Sequence, residues 1–191
     1  KSATAYEKLI ERLLNSPRYG EHWGRHWLDV ARFADTRGYL TAGKDTTFPF
    51  AYTYRDYVIN AFNSDKPYDQ FIIEQIAADT LTLTGNKEEL AALGFLTAGD
   101  RFINKNEEIV NDRIDVVTQG FLGLTVACAR CHDHKFDPIP QIDYYSLASI
   151  FNNTTVHDRP LAPAEIVNQF NQHRQQVDAL NKKINPLQNK K

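Results

Sequence analysis

Apolar residues recur along this chain at helical spacing, and no stretch alternates with the period of two that a half-buried strand requires. Thr4-Ala-Tyr-Glu7 has the form of a capping box, and Tyr6, Leu9, Ile10, Leu13 and Leu14 follow on one face, so a first helix is predicted here. Asn15-Ser16-Pro17 ends it and opens a second, with Ser16 as N-cap and Pro17 in the first turn. The second helix carries Tyr19, Trp23, Trp27, Val30 and Ala34 on the face expected to be buried, and should run to about Asp35. Residues 36–50 are rich in Gly, Thr and Pro and read as a loop. Helices are predicted near 53–63 and 67–80, and a fifth near 87–97 that stops at Gly99. A long one over 108–130 should bury Ile109, Val117, Phe121, Leu124 and Cys128. Gly120 and Gly123 cost stability inside a helix, which predicts a close neighbour there. After a turn at Asp137–Pro140 comes a helix near 141–151.

From Pro163 the pattern changes. Ile166, Phe170, His173, Val177, Leu180 and Ile184 alternate by four and three, the a/d spacing of a coiled-coil seam, with mostly Asn, Gln, Lys and Arg between them. Three heptads are marginal alone. The segment is therefore expected to be a connector that meets a coiled-coil partner through 165–184. The expected fold class is all-α: an irregular bundle of about six helices over 1–158, then a linker and coiled-coil-like helix over 159–191.

The chain has 191 residues, 42% of them apolar and 12% aromatic, enough for a real core and against disorder throughout. A net charge of −2 argues against a nucleic-acid partner, and no apolar run is long enough to span a membrane. Methionine is absent altogether, the initiator included, so the chain is expected to be a processed product or part of a larger protein.

The two cysteines carry the chemistry. Cys128-Ala-Arg-Cys131-His132 is the Cys-x-x-Cys-His pattern of c-type haem attachment. Two thiols three residues apart can each form a thioether to one vinyl group on the same porphyrin edge. The adjacent His132 is then placed to reach the iron as proximal ligand. Attachment takes place outside the cytoplasm, which implies a periplasmic, cell-surface or secreted location. Two other chemistries fit the same residues. The cysteines can form a local disulfide or redox centre. With His132 and His134 they nominally supply four zinc ligands, although adjacent ligands at 131 and 132 would crowd one tetrahedral ion.

With no methionine, the sixth haem ligand would be a second histidine, an open position or a group from another chain. His26, beside Trp23 and Trp27, is the leading distal candidate, and His134 is a further metal candidate. His22, His26 and Asp29 share one helical face at a spacing that also suits a metal ion, while His22 itself is expected to be exposed. Asp35 and Asp137 in loops suit calcium, haem propionate contacts through arginine, or helix capping, and Asp143 suits a cap.

At GEHWGRHWLDVARFADTRGY, YRDYVINAFNSDKPYDQFIIEQIAADTL and FLGLTVACARCHDHKFDPIPQIDYYSLASIF the chain resembles the planctomycete cytochrome C-like domain family. That family is a domain of unknown function found in large secreted proteins, and the similarity covers roughly residues 5–155. The resemblance implies an extracytoplasmic fragment with a separate cytochrome-like module as neighbour, and 163–191 as linker. Its matching positions are Cys128, Cys131, His132 and His134, with His26, Asp29 and Asp35 in the second-helix block.

The expectation is one covalent haem c at Cys128 and Cys131, with His132 proximal and His26 distal, serving electron transfer at low to moderate potential. A neighbouring redox module or partner cytochrome is the expected partner, and calcium or zinc a possible additional ion. The competing classes are a secreted enzyme, either haem peroxidase-like or acting on polysaccharide with a metal site, and a structural module closed by a Cys128–Cys131 disulfide.

Overall fold

The computed structural model describes residues 4–36, 47–81, 87–98 and 105–188. Among them the chain is all-α. The helices are α1 (Ala5–Leu14), α2 (Arg18–Val30), α3 (Ala51–Asn63), α4 (Tyr68–Leu81), α5 (Asn106–Val117), α6 (Gln141–Asn152) and α7 (Ala164–Gln188). A ten-residue 3₁₀ segment, Lys87–Leu96, precedes α5, a π-turn (Thr118–Leu122) follows it, and a short 3₁₀ turn spans Ala127–Arg130. One isolated bridge pairs Thr36 with Thr47; the rest of the loop expected over 36–50 is mostly outside the described residues, as is the stop at Gly99. The chain divides into two compact units, 1–157 and 158–191.

The first helix forms where its apolar spacing placed it, but among the described residues nothing covers that face: every residue of α1 is exposed. The Thr4 carbonyl accepts the Lys8 N–H at 3.0 Å, and the side-chain half of the capping box is not made. Pro17, rather than Ser16, stands at the N-cap of α2, and the Ser16 hydroxyl one residue before it accepts the Arg18 N–H at 3.3 Å.

The face that α2 buries is not the aromatic one. Gly20 and Gly24 lie against α3, and Trp23 is 47% exposed. The two glycines let the helix backbones approach so closely that a Cβ on Gly20 would sit 2.3 Å from the Ile59 carbonyl oxygen. Asn63 closes the contact, accepting the Gly20 N–H at 2.8 Å and donating to the Pro17 carbonyl at 3.1 Å. It thereby satisfies one of the orphan amides of the first turn of α2. The helix ends at Val30 rather than near Asp35, because Arg32 turns left-handed with φ 57°.

Trp27 does point inward, and the first hydrophobic cluster forms around it. Its ring lies 5.0 Å from Phe71, 5.8 Å from Phe95 and 5.9 Å from Phe121, among Tyr54, Tyr57, Val58 and Val116. The polar atoms within this aromatic core are paired, as burial demands. Gln75 Oε1 accepts from Trp27 Nε1 at 2.9 Å and from the Tyr54 hydroxyl at 2.7 Å. Glu74, fully buried, accepts from the Tyr57 hydroxyl at 2.7 Å, from Gln70 at 2.8 Å and from the Lys66 ammonium. Burial pushes the pKa of both tyrosines far above the ordinary phenol value, and the Glu74 carboxylate adds to the rise at Tyr57. Both hydroxyls therefore stay protonated as donors.

A second cluster joins α5 to α6: Val110, Ile114, Val126, Ala129, Tyr144, Ala148 and Phe151, with Leu96 and Val117 packed against both clusters. The long helix expected over 108–130 is broken. The α-helix stops at Val117, the π-turn follows, and Gly123 adopts φ 67°. The two glycines act differently. At Gly120 a Cβ would lie 3.2 Å from Phe95 and 3.3 Å from Val30, the close approach anticipated, whereas Gly123 has nothing within 4 Å and instead supplies the left-handed stop. The break turns Cys128 outward, contrary to the buried face predicted for it.

Candidate functional site

Beyond Gly123 the chain runs without helix to Val126 and then makes the single 3₁₀ turn that holds the motif. Val126 and Ala129 are buried in the second cluster, and this anchoring leaves Cys128 and Cys131 exposed. The Cys131 N–H bonds the Cys128 carbonyl at 3.3 Å, so the two residues bracket one turn. Both thiols are free.

Side chains of α6 and α5 fix the turn from behind. The Arg130 carbonyl accepts from Gln141 Nε2 at 3.1 Å and from the Tyr145 hydroxyl at 3.0 Å. The Arg130 guanidinium pairs with Glu108 at 3.3 Å and lies 3.6 Å from Glu107, both at the start of α5. Asp133 Oδ1 accepts the Gln141 N–H at 2.8 Å and thus caps α6 from outside the helix, the task expected of Asp143. Gln141, Tyr145, Glu107 and Glu108 are not singled out by the sequence. The blocks of sequence around the motif signalled only that more than two cysteines and a histidine were involved.

The two histidines of the motif region are set up in opposite ways. His132 is exposed, and its Nδ1 lies 2.7 Å from the Asp133 carbonyl oxygen. A carbonyl only accepts, so the proton sits on Nδ1 and the Nε2 lone pair is left outward and free to ligate. His134 has a side chain only 6% exposed, and its Nδ1 accepts the Asp137 N–H at 2.9 Å. Asp137 Oδ2 is also 3.2 Å from that nitrogen, but one Nδ1 cannot accept the amide proton and donate to the carboxylate together. The shorter backbone bond decides for a neutral ring with its proton on Nε2. With His134 N–H to Ile139 O at 2.9 Å and Ile139 N–H to Asp137 O at 2.7 Å, the ring holds the Pro-containing loop before α6.

Apolar side chains stand uncovered on the segment that follows the motif. Phe136 is 83% exposed, Ile142 71%, and Tyr145 also belongs to this group.

His26 is elsewhere. It is exposed on α2, with ring centroids of His22 and Trp23 each at 5.7 Å, and α2 packs on α3 while the motif turn packs on α5 and α6. It does not border a buried apolar face as expected, because the glycine face of α2 took that place. His22 is exposed, as expected. Among the described residues no group of three or more His, Cys, Asp or Glu side chains is gathered as a metal site, so neither the Cys128/Cys131/His132/His134 set nor the His22/His26/Asp29 face converges on one point.

A family model described as a protein of unknown function (DUF1549, PSCyt2) matches residues 1–156. The chain belongs to that family. The match runs from α1 through the motif turn to α6 and ends before α7. No curated protein and no solved structure matches the chain.

Proposed function

We propose that unit 1–157 is an extracytoplasmic haem c domain that carries electrons as one module of a larger protein. The observation that carries this reading is the orientation of His132. Its Nδ1 is bonded to a backbone carbonyl, which leaves Nε2 as the outward donor one residue after an exposed, reduced cysteine pair. The donor set fits the group: Cys128 and Cys131 would hold it by thioethers and His132 would be its axial ligand. Such a haem supplies one-electron redox chemistry when bound.

What the chain's own residues do is position and shield. Asp133 fixes the His132 tautomer through its carbonyl and the start of α6 through its side chain. Gln141 and Tyr145 hold the turn, and Phe136 and Ile142 offer apolar surface beside it. His26 has its ring contacts with His22 and Trp23 of its own helix, and this favours a sixth position that is open or filled by another chain.

The test is expression with a c-type haem maturation system, read by intact mass and a pyridine haemochrome spectrum. The expected result is a mass increase of one haem and c-type α and β bands, both lost in Cys128→Ser/Cys131→Ser. A colourless protein of unmodified mass overturns the reading.

A further inference from the structure

The side of α2 that faces away from α3 carries two histidines one turn apart. His22 and His26 lie two residues on from Gly20 and Gly24, about 200° around the helix, so the packing that buries the glycines turns both imidazoles outward. Their ring centroids are 5.7 Å apart. Trp23 packs against both, at 5.3 Å from His22 and 5.7 Å from His26, and so restrains the two rings from one side. Among the described residues no hydrogen bond or ion pair engages either imidazole. We propose that His22 and His26 form a two-imidazole site for a divalent ion of the late first transition row, copper(II) before nickel(II) or zinc(II).

The reach of the two rings carries the assignment. An ion of this class bonds an imidazole nitrogen at about 2.0–2.1 Å and so stands about 3.2 Å from the ring centre. The 5.7 Å between the rings is less than twice that reach. One ion can therefore bond a nitrogen of each ring after small side-chain rotations, which the exposure of both rings permits. The i, i+4 spacing is the one by which a single helix presents two histidines to one metal. Imidazole donors suit copper, nickel and zinc, and for a given site affinity peaks at copper(II). Among the described residues Asp29 does not join the pair, so the remaining positions of the ion are open to water or to a donor from another molecule. The Asn63 bond to the Gly20 amide and the close α2–α3 contact hold this part of α2 helical before any ion arrives, so little ordering accompanies binding.

The proposal does not depend on the haem, and its test uses the full chain carrying Cys128→Ser and Cys131→Ser, so that no thiol competes for the ion. Copper(II) sulfate is titrated in while tryptophan emission is followed, because a paramagnetic ion held against Trp23 quenches it. Saturable quenching is expected. Its apparent Kd should rise about a hundredfold in His22→Ala and in His26→Ala, where a single imidazole loses the gain from two linked donors. Pulsed electron paramagnetic resonance at substoichiometric copper should show two coupled imidazoles in the parent and one in each variant. Helical circular dichroism should be the same in all three proteins, since both positions are exposed. Quenching that does not saturate overturns the proposal, as does equal affinity in the parent and either variant. A single coupled imidazole in the parent overturns it as well.

Discussion

Gly20 and Gly24 stand one turn apart on α2, yet replacing each by alanine should shift stability in opposite directions. Alanine is a better helix former than glycine by about 1 kcal/mol, so propensity alone predicts that both substitutions stabilise. At Gly24 the nearest atom to a new Cβ is Val58 Cγ1 at 3.4 Å, an ordinary contact, and the propensity gain should survive at up to about 1 kcal/mol. At Gly20 the same methyl meets the Ile59 carbonyl oxygen at 2.3 Å and Asn63 Cγ at 2.7 Å. The first of these is backbone in the middle of α3 and cannot rotate away. Overpacking costs about 1–3 kcal/mol, and the Asn63 bond to the Gly20 amide, worth about 1 kcal/mol, is lost if the helices separate. Subtracting the propensity gain leaves Gly20→Ala destabilised by about 1–3 kcal/mol. In a domain of this size that lowers the melting temperature by several degrees, about 2–4 °C per kcal/mol. Thermal unfolding followed at 222 nm reads both variants. If Gly20→Ala melts at or above the wild-type temperature, the close α2–α3 approach is wrong, and with it the account of why this segment carries glycines.

Other outcomes follow from the same structure. Gln75→Ala leaves the buried Tyr54 hydroxyl without its acceptor, while Trp27 keeps the Tyr54 oxygen at 3.2 Å, and should cost about 1–3 kcal/mol in urea unfolding; Tyr145→Phe, which removes one exposed bond, should cost no more than about 1 kcal/mol. Asp115 has its pKa raised, first by burial and then by Asp112, so its charged form burdens the fold. That penalty is absent below the unfolded carboxylate range and grows as pH rises through the raised value. Asp115→Asn should therefore melt higher than wild type at pH 7, with the gap closing toward pH 4. Cys128→Ser/Cys131→Ser should shift the melting temperature by no more than about 3 °C, because neither thiol is packed in a cluster. A collapse of its cooperative transition would mean that the cofactor is part of the core.

Helix existence was legible from spacing and boundaries nearly so: α3 begins two residues before the sequence estimate, and α6 ends one after it. The misreadings share a cause. Counting apolar residues assigns the buried face to the largest side chains, so Trp23 outweighed Gly20 and Gly24, although glycine buries a helix by removing atoms rather than adding them. The helix over 108–130 was overdrawn because Gly123 reads the same whether it lies inside a helix or ends one. Only the backbone angle distinguishes the two. The motif cysteines were found by spacing alone. The different employment of His132 and His134 was not, since it depends on which backbone group each ring meets: a carbonyl for one, an amide for the other. The Arg130, Gln141 and Tyr145 supports come from elements separated in sequence and left no local signal.

The most direct measurement is the pyridine haemochrome spectrum of the chain matured with c-type haem machinery, beside that of Cys128→Ser/Cys131→Ser and of His132→Ala. The account predicts c-type bands in the wild type and none in the double cysteine variant. In His132→Ala the covalently held haem should show altered axial ligation in the native spectrum. Colourless wild-type protein with both thiols unmodified contradicts it.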